Sequence, residues 1–299
     1  FKTCKVTDIS IMFSYCISIT SLDISKFETT NVKSMDHMFC SMGKLSSIKL
    51  DGIITKNVEN MNSLFEDDSS LTSLDLSNFD TSKVTTMSNM FANCNELEYL
   101  DISSFRTNKV TDMSGMFNAL FVVKNLDVSR FDTSQVESMR NMFSYCESLT
   151  SLDISGFNIE KVKDLAYFVN DCYQLENLDV SHLVETSEKK LVRAFSECHS
   201  LKSLSFTKID GSYITSMFEI FENSYSLTSI DLSGFSKNMR LSDGSGMFYG
   251  CSSLKSINLK NFDTSDFGSL SLIFYNCNSL KELNVSNFNT TFVVNMESM

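Results

Sequence analysis

Proline and tryptophan are absent from the 299 residues, and only ten glycines and three histidines occur. No Pro-, Gly- or Ser-rich stretch interrupts the chain, so the usual linker signals are missing and no internal domain boundary is expected. No run of about 18 apolar residues exists, which excludes a transmembrane helix in this stretch. No signal peptide is visible, and the chain opens on Phe1 already inside a repeat, as a mature or excised fragment would. Basic residues are the minority, 25 against 37 acidic, for a net charge of −12. That balance argues against nucleic acid, where a basic footprint supplies most of the affinity. Catalytic signatures are missing too: there is no G-x-S-x-G, P-loop, G-x-G-x-x-G or H-E-x-x-H. His37, His182 and His199 have no second histidine at ligand spacing, and no C-x-x-C pair suggests zinc. The chain is therefore not expected to be an enzyme, and neither a metal site nor a cofactor is expected from local spacing.

What is present is one pattern repeated. Leu22, Ile48, Leu74, Leu100, Leu126, Leu152, Leu178, Leu204, Ile230, Ile257 and Leu283 are equivalent; each step is 26 residues except the 27 between Ile230 and Ile257. The unit reads F-x-T-x-x-V-x-x-M-x-x-M-F-x-x-C-x-x-L-x-x-L-D-L-S-x. Two of its columns hold most of the 25 phenylalanines: one runs from Phe13 through Phe91 to Phe274, the other includes Phe79, Phe105 and Phe131. The aromatic content is thus a by-product of the repeat. We expect residues 1–299 to form one solenoid of about eleven units with no terminal caps.

Within a unit, Leu100 and Ile102 alternate with Tyr99, Asp101 and Ser103, the period of a strand. In residues 84–94 the apolar positions are Val84, Met87, Met90, Phe91 and Cys94, a spacing that fits one face of a short helix. A competing reading makes 84–87 a second short strand and leaves only 88–93 helical. One strand and one helical turn per unit predict an α/β solenoid of leucine-rich-repeat type, with a parallel sheet. The wider helices would lie on a convex side and the strands on a concave one.

The L-x-x-L-x-L core is the strand signature of leucine-rich repeats, although Phe79, Phe105 and Phe131 stand where Asn or Cys is usual. The full segment FDTSKVTTMSNMFANCNELEYLDIS, residues 79–103, resembles the BspA-like leucine-rich-repeat surface proteins and is similar to mycoplasma lipoprotein-associated repeats. The resemblance extends over the whole chain. It implies a non-catalytic protein at the cell surface or secreted, engaged in adhesion or in capture of a protein or glycan. A structural role is the alternative, as an end-to-end fibre or spacer, and an intracellular scaffold is a third.

Two columns invite a functional reading. Asp75, Asp101, Asp127, Asp153 and Asp179 occupy the same strand position in consecutive units. Stacked strands would set these like charges about 5 Å apart, at a cost that something must offset. Bound Ca²⁺, a basic partner, or hydrogen bonds from flanking serines such as Ser77 and Ser103 are the candidates. The strip is therefore both a candidate binding surface and a candidate solvated ladder. Seven of the nine cysteines share another column, from Cys16 to Cys277, on the apolar face. Buried small hydrophobes account for them better than disulfides among Cys146, Cys172 and Cys198. Asp68 breaks that column at a position expected to be buried. The repeat is least regular at 183–193, 209–221 and 236–240.

Overall fold

The computed structural model describes residues 3–181, 183, 187–206, 211–235 and 240–299. Parts of the three irregular stretches, and His182, lie outside these. The chain winds as a β-solenoid whose strands come from the L-x-x-L-x-L core: β1 (Ser21–Asp23), β2 (Ser47–Lys49), β3 (Ser73–Asp75), β4 (Tyr99–Asp101), β6 (Ser203–Ser205), β8 (Ser229–Asp231) and β9 (Ser256–Asn258). Where these strands pair they do so in parallel and in repeat register, with Leu74 opposite Leu100 and Asp75 opposite Asp101. Units containing Leu126, Leu152 and Leu178 keep those leucines buried but form only the single bridge Ser151 to Asn177. Their inter-coil hydrogen bonds are stretched, as in Thr150 N to Lys124 O at 3.5 Å.

A second parallel ladder runs beside the first. Asp8, Ser34, Asn60, Thr86, Asp112, Ser138, Asp164 and Lys190 bridge in turn. It continues through β5 (Lys189–Lys190) and β7 (Ile214–Ser216), and again from Asp243 through Ser269 to Asn295. This is the competing strand reading of residues 84–87.

The convex helices are not there: among the described residues no helix forms, and the expected helical segment is a run of tight turns. Met90, Ala92 and Cys94 each donate to the carbonyl three residues back. The intervening Asn89, Phe91 and Asn93 instead donate to Ser114, Met116 and Asn118 on the next coil, at 2.8–3.0 Å. Asn89 and Asn93 adopt positive φ, 51° and 60°, and the same two columns do so in every coil described. A left-handed residue costs about 1–2 kcal/mol for most side chains, and a helix cannot contain one every fourth position. The inter-coil hydrogen bonds offset that cost. A helix is about 10 Å wide and a strand repeat about 4.8 Å; only the turn run lets this side of the coil stack as closely as the strands. With no helix to widen one side, the reason for a convex and a concave face falls away.

Buried side chains form one contiguous cluster from Ile9 to Ile273. Phe39, Phe65, Phe91, Phe117 and Phe143 stack at 5.2–6.0 Å between neighbours, nearly parallel. Val169 breaks the column, and the preceding residue, Phe168, turns inward to meet Phe143 edge-on at 5.4 Å. The cysteine column is buried in Cys94, Cys146, Cys172, Cys198 and Cys251, and all nine thiols are free. Each of these five donates to a carbonyl on the preceding coil, as in Cys94 Sγ to Phe65 O at 3.0 Å. Burial pushes the Cys146 thiol up to about 12, so these are unreactive core groups.

The recurrent Thr of the F-x-T element has a role that its spacing did not reveal. Thr29, Thr55, Thr81, Thr107, Thr133 and Thr264 are buried. Each hydroxyl accepts the N–H of one residue on the next coil and donates to that residue's carbonyl. For Thr81 the partner is Arg106, at 2.7 and 2.9 Å. Where the column changes to Ile159, the buried Lys189 ammonium donates to the Ile159 and Val162 carbonyls instead, both at 2.7 Å.

Candidate functional site

The aspartate strip lies along the strand ladder. Asp75 and Asp101 are direct neighbours in register, so the expected like-charge contact is real. Its offset is local. Each aspartate accepts the backbone N–H of the serine two residues on: Ser77 to Asp75, Ser103 to Asp101, Ser129 to Asp127, Ser155 to Asp153 and Ser181 to Asp179, at 2.8–3.1 Å. In Asp127 the same oxygen also accepts the Ser129 hydroxyl at 2.7 Å. Hydrogen bonds from Ser103 and Ser129 hold the Asp101 and Asp127 carboxyls below their ordinary range, for Asp127 despite the neighbouring Asp153 charge.

The strip is thus a stack of Asx turns that ends each strand. Asn258 and Asn284 make the same contact to Lys260 and Ser286, which shows that the amide suffices. The Asp101→Asn/Asp127→Asn double variant should therefore keep most of the wild-type stability in the absence of divalent cations. Asp101→Ala/Asp127→Ala should melt measurably lower; equal loss from both pairs would show that the charge itself is structural.

Two depressions open on this ladder face. The larger, about 740 Å³, is lined by Asp179, Ser203, Ser205, Ser229, Asp231, Ser256 and Asn258 with Leu178, Leu204 and Ile230 beneath. The smaller, about 370 Å³, is lined by Lys49, Asp51, Ser73, Asp75, Ser77 and Asn78 among others. Asp75 and Asp179 therefore sit in grooves, while Asp101, Asp127 and Asp153 line neither.

The turn edge carries the chemistry that local spacing missed. His199 is stacked between Tyr173 and Tyr225 at 4.6 and 4.7 Å and meets Glu197 at 3.0 Å. Arg193 pairs with Glu219 and, at 3.1 Å, with Glu222. At the other end of the solenoid, ligand atoms of His37, Cys40 and Glu66 lie within 4.8 Å of one another.

The comparisons agree with this architecture. The family model described as "Mycoplasma protein of unknown function, DUF285" matches residues 1–51, 43–125, 91–203, 119–235 and 189–299. The chain belongs to the DUF285 family. The likeness to BspA-like leucine-rich-repeat proteins holds with it. A leucine-rich repeat protein from Bacteroides ovatus superposes with a TM-score of 0.51 at 17% identity, over 98% of this chain and 78% of that one. One from Eubacterium ventriosum gives 0.44 at 14% identity, covering 98% and 81%. A leucine rich cell surface protein from Faecalibacterium prausnitzii gives 0.34 at 18%, covering 93% and 87%. No curated protein matches. For this DUF285 chain, the Bacteroides likeness establishes the leucine-rich-repeat fold. No helix among the described residues is long and apolar enough to cross a membrane.

Proposed function

We propose that this chain is a non-enzymatic binding scaffold of the cell surface or secreted space. It takes a protein or glycan ligand on the strand-ladder face, with the whole of residues 1–299 forming one uninterrupted solenoid. The carrying observation is the groove of about 740 Å³. Its floor is main chain and leucine held by the repeat, and its rim is Ser203, Ser205, Ser229, Asp231, Ser256 and Asn258, short polar groups. Small side chains leave backbone and hydroxyls accessible on a rigid surface, which suits a hydrogen-bonding ligand with little ordering cost. Asp179 and Asp231 at the rim favour a ligand that is basic or rich in hydroxyl donors, and the remaining strip of Asp75, Asp101, Asp127 and Asp153 would steer it.

The test is binding of the purified chain to arrays of extracellular proteins and glycans, beside a Ser203→Arg/Ser229→Arg variant that fills the groove. A ligand lost by the variant supports the reading. Binding untouched by the filled groove, or no binding to any array, contradicts it.

A further inference from the structure

We propose that His37, Cys40 and Glu66 form a divalent-metal site for Zn²⁺ or a metal of similar preference. The local fold brings the three together. Cys40 N donates to His37 O at 3.2 Å, closing a tight turn. Glu66 occupies the column of Cys40 one coil further on, and Ser41 N fixes it there by donating to Glu66 O at 2.7 Å. The result is an imidazole, a thiol and a carboxylate whose ligand atoms lie within 4.8 Å of one another. A tetrahedral zinc with bonds of about 2.0–2.3 Å needs donor separations of about 3.5 Å, a contraction within reach of side-chain rotation.

Three features distinguish this group from a surface ion pair. First, carboxylates flank both ring nitrogens of His37. Asp36 Oδ2 lies 3.1 Å from His37 Nδ1, and Asp36 Oδ1 accepts from Asn62 Nδ2 at 3.0 Å. Nδ1 thus faces Asp36, and Nε2 is the nitrogen facing Glu66, at 4.0 Å. Second, Cys40 is buried while His37 and Glu66 are partly exposed. The thiol forms the floor and the mouth stays open, so water takes the fourth position. Third, the repeat supplies its own comparison. Arg193 and Glu222 stand in the columns of His37 and Glu66, and there the cation is the guanidinium, 3.1 Å from the carboxylate. Where Glu66 occupies that column the chain offers no arginine, and it has a cysteine in the column that Ser196 fills beside Arg193.

On binding, the Cys40 S–H bond breaks, Sγ bonds to the metal and the proton passes to solvent, so uptake releases one proton per metal and involves no redox change. Burial above all, and after it the neighbouring Glu66 and Asp67 carboxylates, push the free thiol up.

Co²⁺ titration of the 299-residue chain under reducing conditions tests the proposal. The expected result is one Co²⁺ per chain with a thiolate-to-cobalt charge-transfer band, displaced by Zn²⁺. The band should vanish in Cys40→Ser and persist in Cys4→Ser. His37→Gln and Glu66→Gln, both on the partly exposed edge, should each weaken Co²⁺ binding at least about tenfold, the least effect that losing even an outer-shell partner has. Zn²⁺ should raise the melting temperature of the wild type by clearly more than that of His37→Gln, a readout independent of whether Cys40→Ser folds. Absence of the band, its survival in Cys40→Ser, or wild-type affinity in His37→Gln would overturn the proposal.

Discussion

Asp68→Cys is expected to raise stability at about pH 8 by several kcal/mol, an effect that shrinks to little at about pH 4. Asp68 occupies the buried cysteine column and is fully shielded from solvent. Its Oδ1 accepts Met42 N–H at 2.8 Å, but Oδ2 has no partner. Burial pushes the carboxyl up to about 8, against the lowering pull of that one hydrogen bond. The folded state thus binds the proton more tightly than the unfolded chain, whose carboxyl titrates near pH 3.9. The stability this confers is complete below about pH 4 and lost as pH rises through about pH 8. A cysteine in the same place stays neutral and donates to a carbonyl, as Cys94 does. The exposed carboxyls work the other way. Hydrogen bonds from Ser25, Ser82, Ser103 and Ser129 hold Asp23, Asp80, Asp101 and Asp127 low. Their contribution is present above about pH 4 and lost in stronger acid. The wild type should therefore be most stable in mild acid, and thermal melts across pH check both limbs. A flat alkaline limb in the wild type, or the same slope in Asp68→Cys, would contradict this assignment.

The second large effect belongs to the threonine ladder. Thr81→Val keeps the shape but removes both bonds to Arg106, leaving a main-chain N–H and a carbonyl without partners at a part-buried edge. Each orphaned group costs about 1–3 kcal/mol, so a loss of roughly 2–4 kcal/mol is expected. Thr81→Ser keeps both bonds, and loses only a methyl, about 1 kcal/mol. Solenoids depart from two-state unfolding as cooperativity frays, so hydrogen exchange at the Arg106 amide is the better measure. Fast exchange in the valine variant with protection in the serine variant supports the ladder. Equal behaviour of the two would show that it holds nothing.

Much of this was legible in the chain. Leu74 opposite Leu100 follows from 26-residue spacing alone, as do the phenylalanine stack and the cysteine column. The anomaly at Asp68 could also be read from its column. The helix could not be told from a turn run, because Val84, Met87, Met90, Phe91 and Cys94 satisfy either. What decides is the left-handed residue at each fourth position, and its column holds Ile11, His37, Ser63, Asn89, Gly115 and Asn141. No single residue type marks it; only the recurrent Asn and Gly hint at it. The aspartate strip was visible as charge, and its serine partners two residues on were visible too, yet which offset prevailed needed geometry. The His37, Cys40 and Glu66 group escaped because one ligand comes from the next coil, 26 residues from Cys40. Local metal spacings do not find such a set; reading the turn columns side by side does.

The thin coil, without helix among the described residues, is what lets the same residues stack on every side, and far-UV circular dichroism reads it directly. The expected spectrum is of strand and turn with no helical component. A helical signal amounting to residues 88–93 and their equivalents, some six of every 26, would contradict the fold described for this chain.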